Sequence, residues 1–221
     1  MTPWKGNAAP RVHETPAGMI NSVGLQGPGL KAWAEKELPV LLKTGASIVV
    51  SIWGRSIDEY AAAAEFCSHL PSEVIAVEVN ISCPNVKKGG MEFGNDPIMT
   101  AGVVSACRNA TSKPIITKLS PNQSDIKKSA QACIDSGTDA LSVINTISGM
   151  AIDIEKKEPV LGNRAGGLSG PAIKPIALLK VFDVFTVAQK YNIPILGQGG
   201  VSNANDAIEF ILAGRNLITG I

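Results

Sequence analysis

The fold of this chain is decided by residues 74–85, which read Val-Ile-Ala-Val-Glu-Val-Asn-Ile-Ser-Cys-Pro-Asn. An apolar β-type run leads directly into amide, hydroxyl and thiol side chains, and a proline then releases the chain into a loop. In parallel α/β proteins, ligands bind at the carboxyl ends of the strands. The segment therefore predicts a strand that ends in an enzyme active site, with the thiol of Cys83 at its centre.

On both sides of this segment, strand-like runs alternate with helical patterns, which indicates βαβ units and a parallel sheet. Nearly every strand ends in a polar or glycine-rich cluster, as in a barrel that draws its chemistry from several strand ends. We therefore predict the α/β class and a TIM (β/α)₈ barrel with about six of its eight strands. A doubly wound sheet is the alternative. We expect a single domain over residues 1–221.

The predicted elements follow one another in a simple order. The strands are expected at 46–53, 74–82, 114–119, 140–146, 193–197 and 217–221. The helices are expected at 30–43, 56–68, 97–111, 124–137, 171–191 and 203–214. Ser56 is the expected N-cap of its helix, and Gly137 is expected to close the helix that starts at 124. Residues 1–30 and 148–170 are predicted as loops because they are rich in glycine, proline and polar residues.

Composition excludes several classes of function. The chain has 221 residues, 45% hydrophobic and 18% charged, and a formal net charge of +1, which is typical of a soluble globular domain. No basic block or long apolar run predicts a nucleic-acid surface or a membrane helix. The N-terminal residues show no apolar core of a secretory signal, and no C-x-x-C pair indicates a zinc or iron–sulfur site. We therefore expect a cytoplasmic protein with reduced cysteines and no metal site.

Four cysteines occur, and their contexts differ. A buried cysteine is usually a small hydrophobic residue, and that interpretation suffices for Cys67, Cys107 and Cys133, which lie in helical patterns. Cys83 lies at a strand end between polar residues. A thiol titrates near about pH 8.5, so Cys83 could act as a base or nucleophile, while a structural role remains the alternative.

Other polar residues stand at strand ends. Lys118 ends an apolar strand, so it either meets an anionic ligand at a barrel mouth or faces outward between helices. Asn21, Asn80, Asn85 and Asn145 follow or end apolar segments. Single asparagines there are usually turn residues, but several around one mouth could recognise a planar ligand with alternating C=O and N–H groups, such as a pyrimidine.

Two glycine clusters, at 166–170 and 197–200, lie before a helix and after a strand. Such clusters are often only turns. Glycines at these places also let backbone N–H groups approach a phosphate near a helix N-terminus, as in the late strands of many barrels. His13 and His69 are isolated, so we see no metal constellation and no Ser-His-Asp arrangement.

With these residues in hand, the chain closely resembles the class 1 dihydroorotate dehydrogenases, and class 1B in particular. The matching segments are Glu-Thr-Pro at 14–16, Met-Ile-Asn-Ser-Val-Gly-Leu-Gln at 19–26, Asn-Ile-Ser-Cys-Pro-Asn-Val at 80–86, Lys-Leu-Ser-Pro-Asn at 118–122, Ile-Asn-Thr-Ile-Ser-Gly-Met at 144–150 and Gly-Gly-Leu-Ser-Gly-Pro-Ala-Ile-Lys-Pro at 166–175. The resemblance covers essentially the whole chain. It implies FMN in a TIM barrel and oxidation of dihydroorotate to orotate in the pyrimidine pathway to UMP.

The resemblance also assigns roles to residues. Cys83 would remove the C5 proton while hydride leaves C6 for the flavin, and Lys118 would lie by the flavin's N1/O2 edge. The residues implied to bind FMN are Ser51, Asn80, Lys118, Ile144, Gly170, Gly199 and Gly200. The residues implied to bind substrate are Asn21, Ser22, Val23, Gly24, Leu25, Asn80, Asn85, Asn145 and Thr146.

The resemblance also implies partner subunits, and the chain differs from the family pattern at several positions. Class 1B implies a homodimer and a second subunit with FAD and an iron–sulfur cluster, which passes electrons to NAD. Ser51 stands where the family usually has asparagine, and Gly27 replaces an asparagine. The family's first two barrel strands lack a counterpart, so we expect either a fragment of a longer product, truncated at both ends, or a degenerate copy. The alternatives are a flavin enzyme like dihydropyrimidine dehydrogenase, and an inactive barrel fragment that only binds partners.

Overall fold

The computed structural model describes residues 2–82, 94, 96–214 and 217–218. Its strands are β1 (Val12–Thr15), β2 (Gly18–Asn21), β3 (Ile48–Ile52), β4 (Val74–Asn80), β5 (Ile115–Lys118), β6 (Ala140–Val143), β7 (Ile147–Gly149), β8 (Ile152–Asp153), β9 (Glu158–Pro159), β10 (Gly166–Ser169), β11 (Ile195–Gly197) and β12 (Leu217–Ile218). Its α-helices are α1 (Leu30–Lys36), α2 (Leu38–Leu42), α3 (Ile57–Ser68), α4 (Pro97–Ala110), α5 (Ile126–Asp135), α6 (Lys174–Ala188) and α7 (Ala204–Gly214). Short 3₁₀ helices at Pro171–Ile173 and Gln189–Tyr191 flank α6.

The central sheet has six strands in the order β3, β4, β5, β6, β11 and β12, and every neighbouring pair is parallel. The order in space follows the order in the chain. A doubly wound sheet reverses its strand order at a switch point, and no reversal occurs among these strands. The prediction of an α/β barrel-type fold is therefore confirmed.

The two faces of this sheet carry different side chains because successive residues of a strand point to opposite faces. Val77 and Val79 of β4 belong to the large core that includes Ala63 and Ala64 of α3. Ala76 belongs instead to a small separate cluster, with Ile116 of β5 and Ala140 of β6. We call this second side the inner face, and the same alternation places Glu78, Asn80, Lys118 and Ser142 on it.

The helices begin where their capping residues predict. The Oγ of Ser56 accepts a hydrogen bond of 3.2 Å from the N–H of Glu59, which confirms Ser56 as the N-cap of α3. The helix expected from 124 instead begins at Ile126, and the side chain of Asp125 caps it by accepting from the N–H of Lys127. Gly137, with φ of +91°, follows the end of α5, as predicted.

The predicted loops at 1–30 and 148–170 are wrong. They contain a second, antiparallel sheet of four strands in the order β1, β2, β10 and β7, and the small pair β8 and β9. These strands have two to four residues each, with glycine in three of them, so no apolar alternation marks them. The helix expected at 30–43 is also divided, because α1 ends before Glu37 and Pro39 lies in the first turn of α2.

Candidate active site

Amides from two strand ends meet at one edge of the central sheet. Asn80 is the last residue of β4, and Asn145 lies two residues beyond the end of β6. The Oδ1 of Asn80 accepts hydrogen bonds from Ser82 Oγ at 2.7 Å and from Asn145 Nδ2 at 3.4 Å, and Asn145 Nδ2 also donates to Ser82 Oγ. The hydroxyl of Tyr60 donates to the carbonyl of Asn80 at 2.8 Å and fixes the strand end. We call Asn80, Ser82 and Asn145 the amide cluster.

The antiparallel sheet brings two further predicted residues to this cluster. Asn21 of β2 is paired with Gly167 of β10, and its Nδ2 lies 3.4 Å from the Gly167 carbonyl. A Cβ at Gly167 would lie 2.0 Å from Thr146 Oγ1, so Thr146 packs directly on this glycine. The N–H of Thr146 donates to Asn145 Oδ1 at 2.7 Å. Asn21 and Thr146 therefore contact the same glycine, although more than a hundred residues separate them in the sequence, and Thr146 in turn is hydrogen-bonded to Asn145.

Asn122 supports the same loop, and its role was missed in the sequence. Its Nδ2 donates to the carbonyl of Thr146 at 3.1 Å, and its Oδ1 accepts from the N–H of Ser148 at 2.9 Å. Both polar atoms of its side-chain amide are therefore used to hold the segment that carries Asn145 and Thr146. The position of Asn122, three residues after the end of a predicted strand, was the available signal.

Lys118 lies beside the amide cluster, on the inner face. It is the last residue of β5, next to Asn80 in the β4–β5 register. Its Nζ lies 3.9 Å from Glu78 Oε1, and both side chains are only about 15% exposed. Ser51 Oγ donates to the same Glu78 oxygen at 2.8 Å. Glu78 is therefore the partner that sequence reasoning missed, since an acidic residue inside an apolar strand gave no indication of which face it occupied.

The two glycine clusters meet, although their residues are about thirty positions apart. Gly170, Gly199 and Gly200 have φ of +98°, +117° and +76°, a region of backbone conformation that favours glycine. A Cβ at Gly200 would lie 2.8 Å from the carbonyl oxygen of Gly170. The two turns are thus in contact, beside the first residues of α6 and α7. Close backbone and nearby helix N-termini are suited to an anion such as a phosphate.

Three buried side-chain oxygens lack a hydrogen-bond partner among the described residues: Ser22 Oγ, Ser142 Oγ and Gln198 Oε1. Ser142 is the neighbour of Lys118 in the β5–β6 register, and Gln198 directly precedes the Gly199–Gly200 turn. A buried polar group without a partner costs free energy. The oxygens of Ser142 and Gln198 therefore fit a ligand that carries hydrogen-bonding groups on the inner face of the sheet.

The loop after β2 holds the next predicted residues, Ser22, Val23, Gly24 and Leu25. It is fixed by the N-terminal segment: Asn7 donates to the carbonyl of Ser22 and, through its backbone, to that of Val23, both at 3.0 Å. Trp4 Nε1 donates to the carbonyl of Gly24 at 2.9 Å. These contacts fix the loop that directly follows Asn21.

A groove runs along the outer edge of β3, which pairs only with β4 among the described residues. It encloses about 720 Å³, within the usual range for small-molecule sites of roughly 300–1,000 Å³. Its lining includes Leu25, Trp33, Ser51, Trp53 and Asn80. Because Ser51 and Asn80 also belong to the polar contacts described above, the groove opens directly onto the candidate site.

Of the remaining predicted residues, Ile144 is buried directly after the end of β6, and two lie outside the described part. Ile144 is 3% exposed within the large core, and its N–H donates to the Gln198 carbonyl at 3.2 Å. Cys83 and Asn85 lie outside the described residues, so their roles stay predictions.

The other three cysteines are structural. Burial raises the pKa of the Cys67 thiol to about 11 and those of Cys107 and Cys133 to about 12. All three are completely buried in the large core. Protonated thiols there act as small hydrophobic groups, which agrees with the prediction from their helical contexts.

Residues 2–82, 94, 96–214 and 217–218 contain neither a metal-binding cluster nor a membrane-spanning helix. No group of three or more histidine, cysteine or acidic residues there could hold a metal ion. No helix in the same ranges is long and apolar enough to cross a membrane.

A parallel barrel-type sheet with amides, a lysine and paired glycine turns at its strand ends defines a barrel enzyme with a small-molecule site. Comparison with known proteins is more specific. The family model described as dihydroorotate dehydrogenase matches residues 1–220, and this chain belongs to that family, whose fold is a TIM barrel. The resemblance stated from the sequence motifs is therefore confirmed.

The names of similar proteins specify one class within this family. The chain is 52% identical over 218 residues to a protein of Trichlorobacter lovleyi, and 50% identical over 218 residues to proteins of Pelobacter propionicus and Geobacter sulfurreducens. Each match covers 99% of this chain and 70% of the relative. All three relatives are named dihydroorotate dehydrogenase B (NAD(+)), catalytic subunit. These matches support class 1B.

Proposed function

We propose that this chain is the catalytic subunit of a class 1B dihydroorotate dehydrogenase, which oxidises dihydroorotate to orotate in pyrimidine biosynthesis. The observation that carries the proposal is the contact of Asn80 with Asn145 beside Lys118, with Asn21 joined to them through Gly167 and Thr146, in a chain about half identical to relatives of that name. Three amides around one mouth can bind the alternating C=O and N–H groups of a pyrimidine ring.

FMN is the cofactor that this site would hold. Backbone N–H groups of Gly170, Gly199 and Gly200 would bind its phosphate, and the unpartnered oxygens of Ser142 and Gln198 would accept from its ring system. Lys118 would stabilise negative charge at the N1/O2 edge, with Ser51, Asn80 and Ile144 nearby. When bound, FMN supplies the hydride acceptor for C6 of dihydroorotate.

The protein's own part is to bind, orient and deprotonate the substrate. Asn21, Asn80, Asn145 and Thr146 would fix the ring by hydrogen bonds, with Asn85 and the Ser22–Leu25 loop completing its surroundings. Cys83 would take the C5 proton, since it follows the amide cluster directly in sequence and a thiol titrates near about pH 8.5. Orientation of the ring then presents its C5–H to sulfur and its C6–H to the opposite side.

The electron acceptor would be reached through a partner. The relatives' names specify a catalytic subunit and NAD(+), which supports a second subunit. We propose that this subunit carries FAD and an iron–sulfur cluster, that it joins a homodimer of the present chain, and that the complex works in the cytoplasm.

Ligand binding tests the proposal without turnover. Orotate should perturb the visible spectrum of FMN bound to the purified chain. Asn145→Ala should lower the affinity for orotate at least about tenfold, because it removes an amide from the amide cluster. Asn163→Ala, at an exposed loop position, is the matched control and should leave orotate affinity unchanged. Tighter binding of uracil than of orotate would favour the dihydropyrimidine dehydrogenase-like alternative, and a chain that retains no FMN would favour the non-catalytic one.

A further inference from the structure

An ion pair between two helices lies next to the turn of Gly199 and Gly200. Lys174 is the first residue of α6, and Asp206 lies in the first turn of α7. Lys174 Nζ lies 2.6 Å from Asp206 Oδ1, and the Asp206 side chain is only 9% exposed. The pair therefore joins the beginnings of the two helices between which the glycine turn lies.

Asp206 fixes the chain just after the turn. Its Oδ2 accepts hydrogen bonds from the N–H of Ser202 at 2.9 Å and from Asn203 Nδ2 at 3.0 Å, while its own N–H donates to Asn203 Oδ1 at 3.1 Å. This reciprocal arrangement resembles a capping box at the start of α7. The residues that follow Gly200 thus have their positions set by one carboxylate.

Lys174 contacts the turn itself. A Cβ at Gly200 would lie 3.0 Å from both the backbone nitrogen and the Cβ of Lys174, so no side chain fits between them. The ammonium group is directed to carboxylates, because Glu209 Oε2 lies 2.9 Å from Nζ in addition to Asp206. These two acceptors raise the pKa of Lys174, and the lysine lowers the pKa of Asp206. A lysine with two carboxylate partners is a poor candidate for a direct phosphate ligand.

We propose that Lys174 and Asp206 are positioning residues that hold the Gly199–Gly200 turn in the conformation that binds the phosphate of FMN. The inference rests on the proposed function, since it takes FMN as the ligand. Lys174 could either contact the phosphate directly or support the backbone that makes the contact. The hydrogen bonds above favour support.

Affinities for FMN and riboflavin, measured by quenching of flavin fluorescence on the apo chain, test this directly. Riboflavin lacks the phosphate, so its affinity reports the ring site alone. Asp206→Asn should lower the affinity for FMN about tenfold, because displaced backbone N–H groups lose charge-assisted hydrogen bonds to the phosphate. The affinity for riboflavin should stay unchanged. If Lys174 instead contacted the phosphate directly, Asp206→Asn would free its charge and tighten FMN.

Two further variants separate geometry from charge. Asn203→Ala keeps every charge and removes one hydrogen bond to Asp206, so it should weaken FMN by a smaller factor, and it carries the test if Asp206→Asn does not fold. Glu209→Gln keeps the Lys174–Asp206 pair and should leave FMN affinity within about twofold. Unchanged or tighter FMN binding in Asp206→Asn or Asn203→Ala overturns the inference alone, whereas a wild-type chain that binds neither flavin contradicts the proposed function as well.

Discussion

At the scale of single residues, the side chains at strand ends were the most predictable part of the site. Asn80, Asn145 and Lys118 could be grouped from sequence because parallel strands present their carboxyl ends at one edge. Glu78 and Ser82 could not, since their partners depend on which face of the strand each occupies. Asn21 joins the site through an antiparallel pairing that no pattern in residues 1–30 indicated.

Replacement of Cys83 tests the proposed base. Cys83→Ser should slow reduction of bound FMN by dihydroorotate by at least about a hundredfold near neutral pH, because a serine hydroxyl is a far weaker acid than a thiol. Stopped-flow absorbance under anaerobic conditions measures this rate. Cys133→Ser is the control for a general thiol effect, and an unchanged rate in Cys83→Ser would remove Cys83 from the mechanism.

The raised pKa values of the buried cysteines give a prediction about their reactivity. Burial raises the pKa of Cys67 to about 11 and those of Cys107 and Cys133 to about 12, so all three are thiols at neutral pH. Since thiolates are the reactive form, iodoacetamide at neutral pH should leave these residues unmodified in the folded chain and modify them in urea. Mass spectrometry of peptides reads this out, and rapid alkylation of any of the three in the folded chain would contradict their burial.

Gly167 is predicted to tolerate no side chain. A Cβ there would meet Thr146 Oγ1 at 2.0 Å and Thr146 Cβ at 2.5 Å, so Gly167→Ala should lower the free energy of unfolding by about 1–3 kcal/mol and weaken orotate binding. Gly27→Ala is the matched control, because nothing lies within 4 Å of a Cβ at that position. Equal stability of the two variants in urea unfolding would contradict the packing of Thr146 on Gly167.

At the scale of elements, the long periodic segments were predictable and the short ones were not. The helices α3 to α7 and the strands of the central sheet follow clear patterns and were all expected, with ends displaced by a few residues. The strands β1, β2, β7 and β10 pair over three or four residues and draw stability from long-range pairing, so local sequence did not reveal them.

The N-cap of α5 differs from the residue at which the sequence predicted this helix to begin. The helix was expected from Ser124, yet Asp125 supplies the cap to the N–H of Lys127 at 3.1 Å. Asp125→Ala should therefore cost about 1 kcal/mol of unfolding free energy, while Ser124→Ala should stay within about 0.5 kcal/mol. Urea denaturation of the two variants decides between them, and a larger loss for Ser124→Ala would contradict the observed cap.

At the scale of the whole molecule, the succession of βα units was enough to predict a parallel sheet in sequential order. The groove along β3 was not predictable, because its walls come from the N-terminal segment, the loop after β2, β3 itself and the helices α1, α2 and α3. The expectation of one domain over residues 1–221 stays a prediction.

The central claim is that this chain holds FMN where dihydroorotate can reduce it. Anaerobic addition of dihydroorotate to the purified, FMN-loaded chain tests it most directly, with the absorbance band of oxidised flavin as the signal. We expect loss of that band with dihydroorotate and no loss with dihydrouracil. Persistence of the oxidised spectrum with dihydroorotate, in a chain shown to retain FMN, would contradict it.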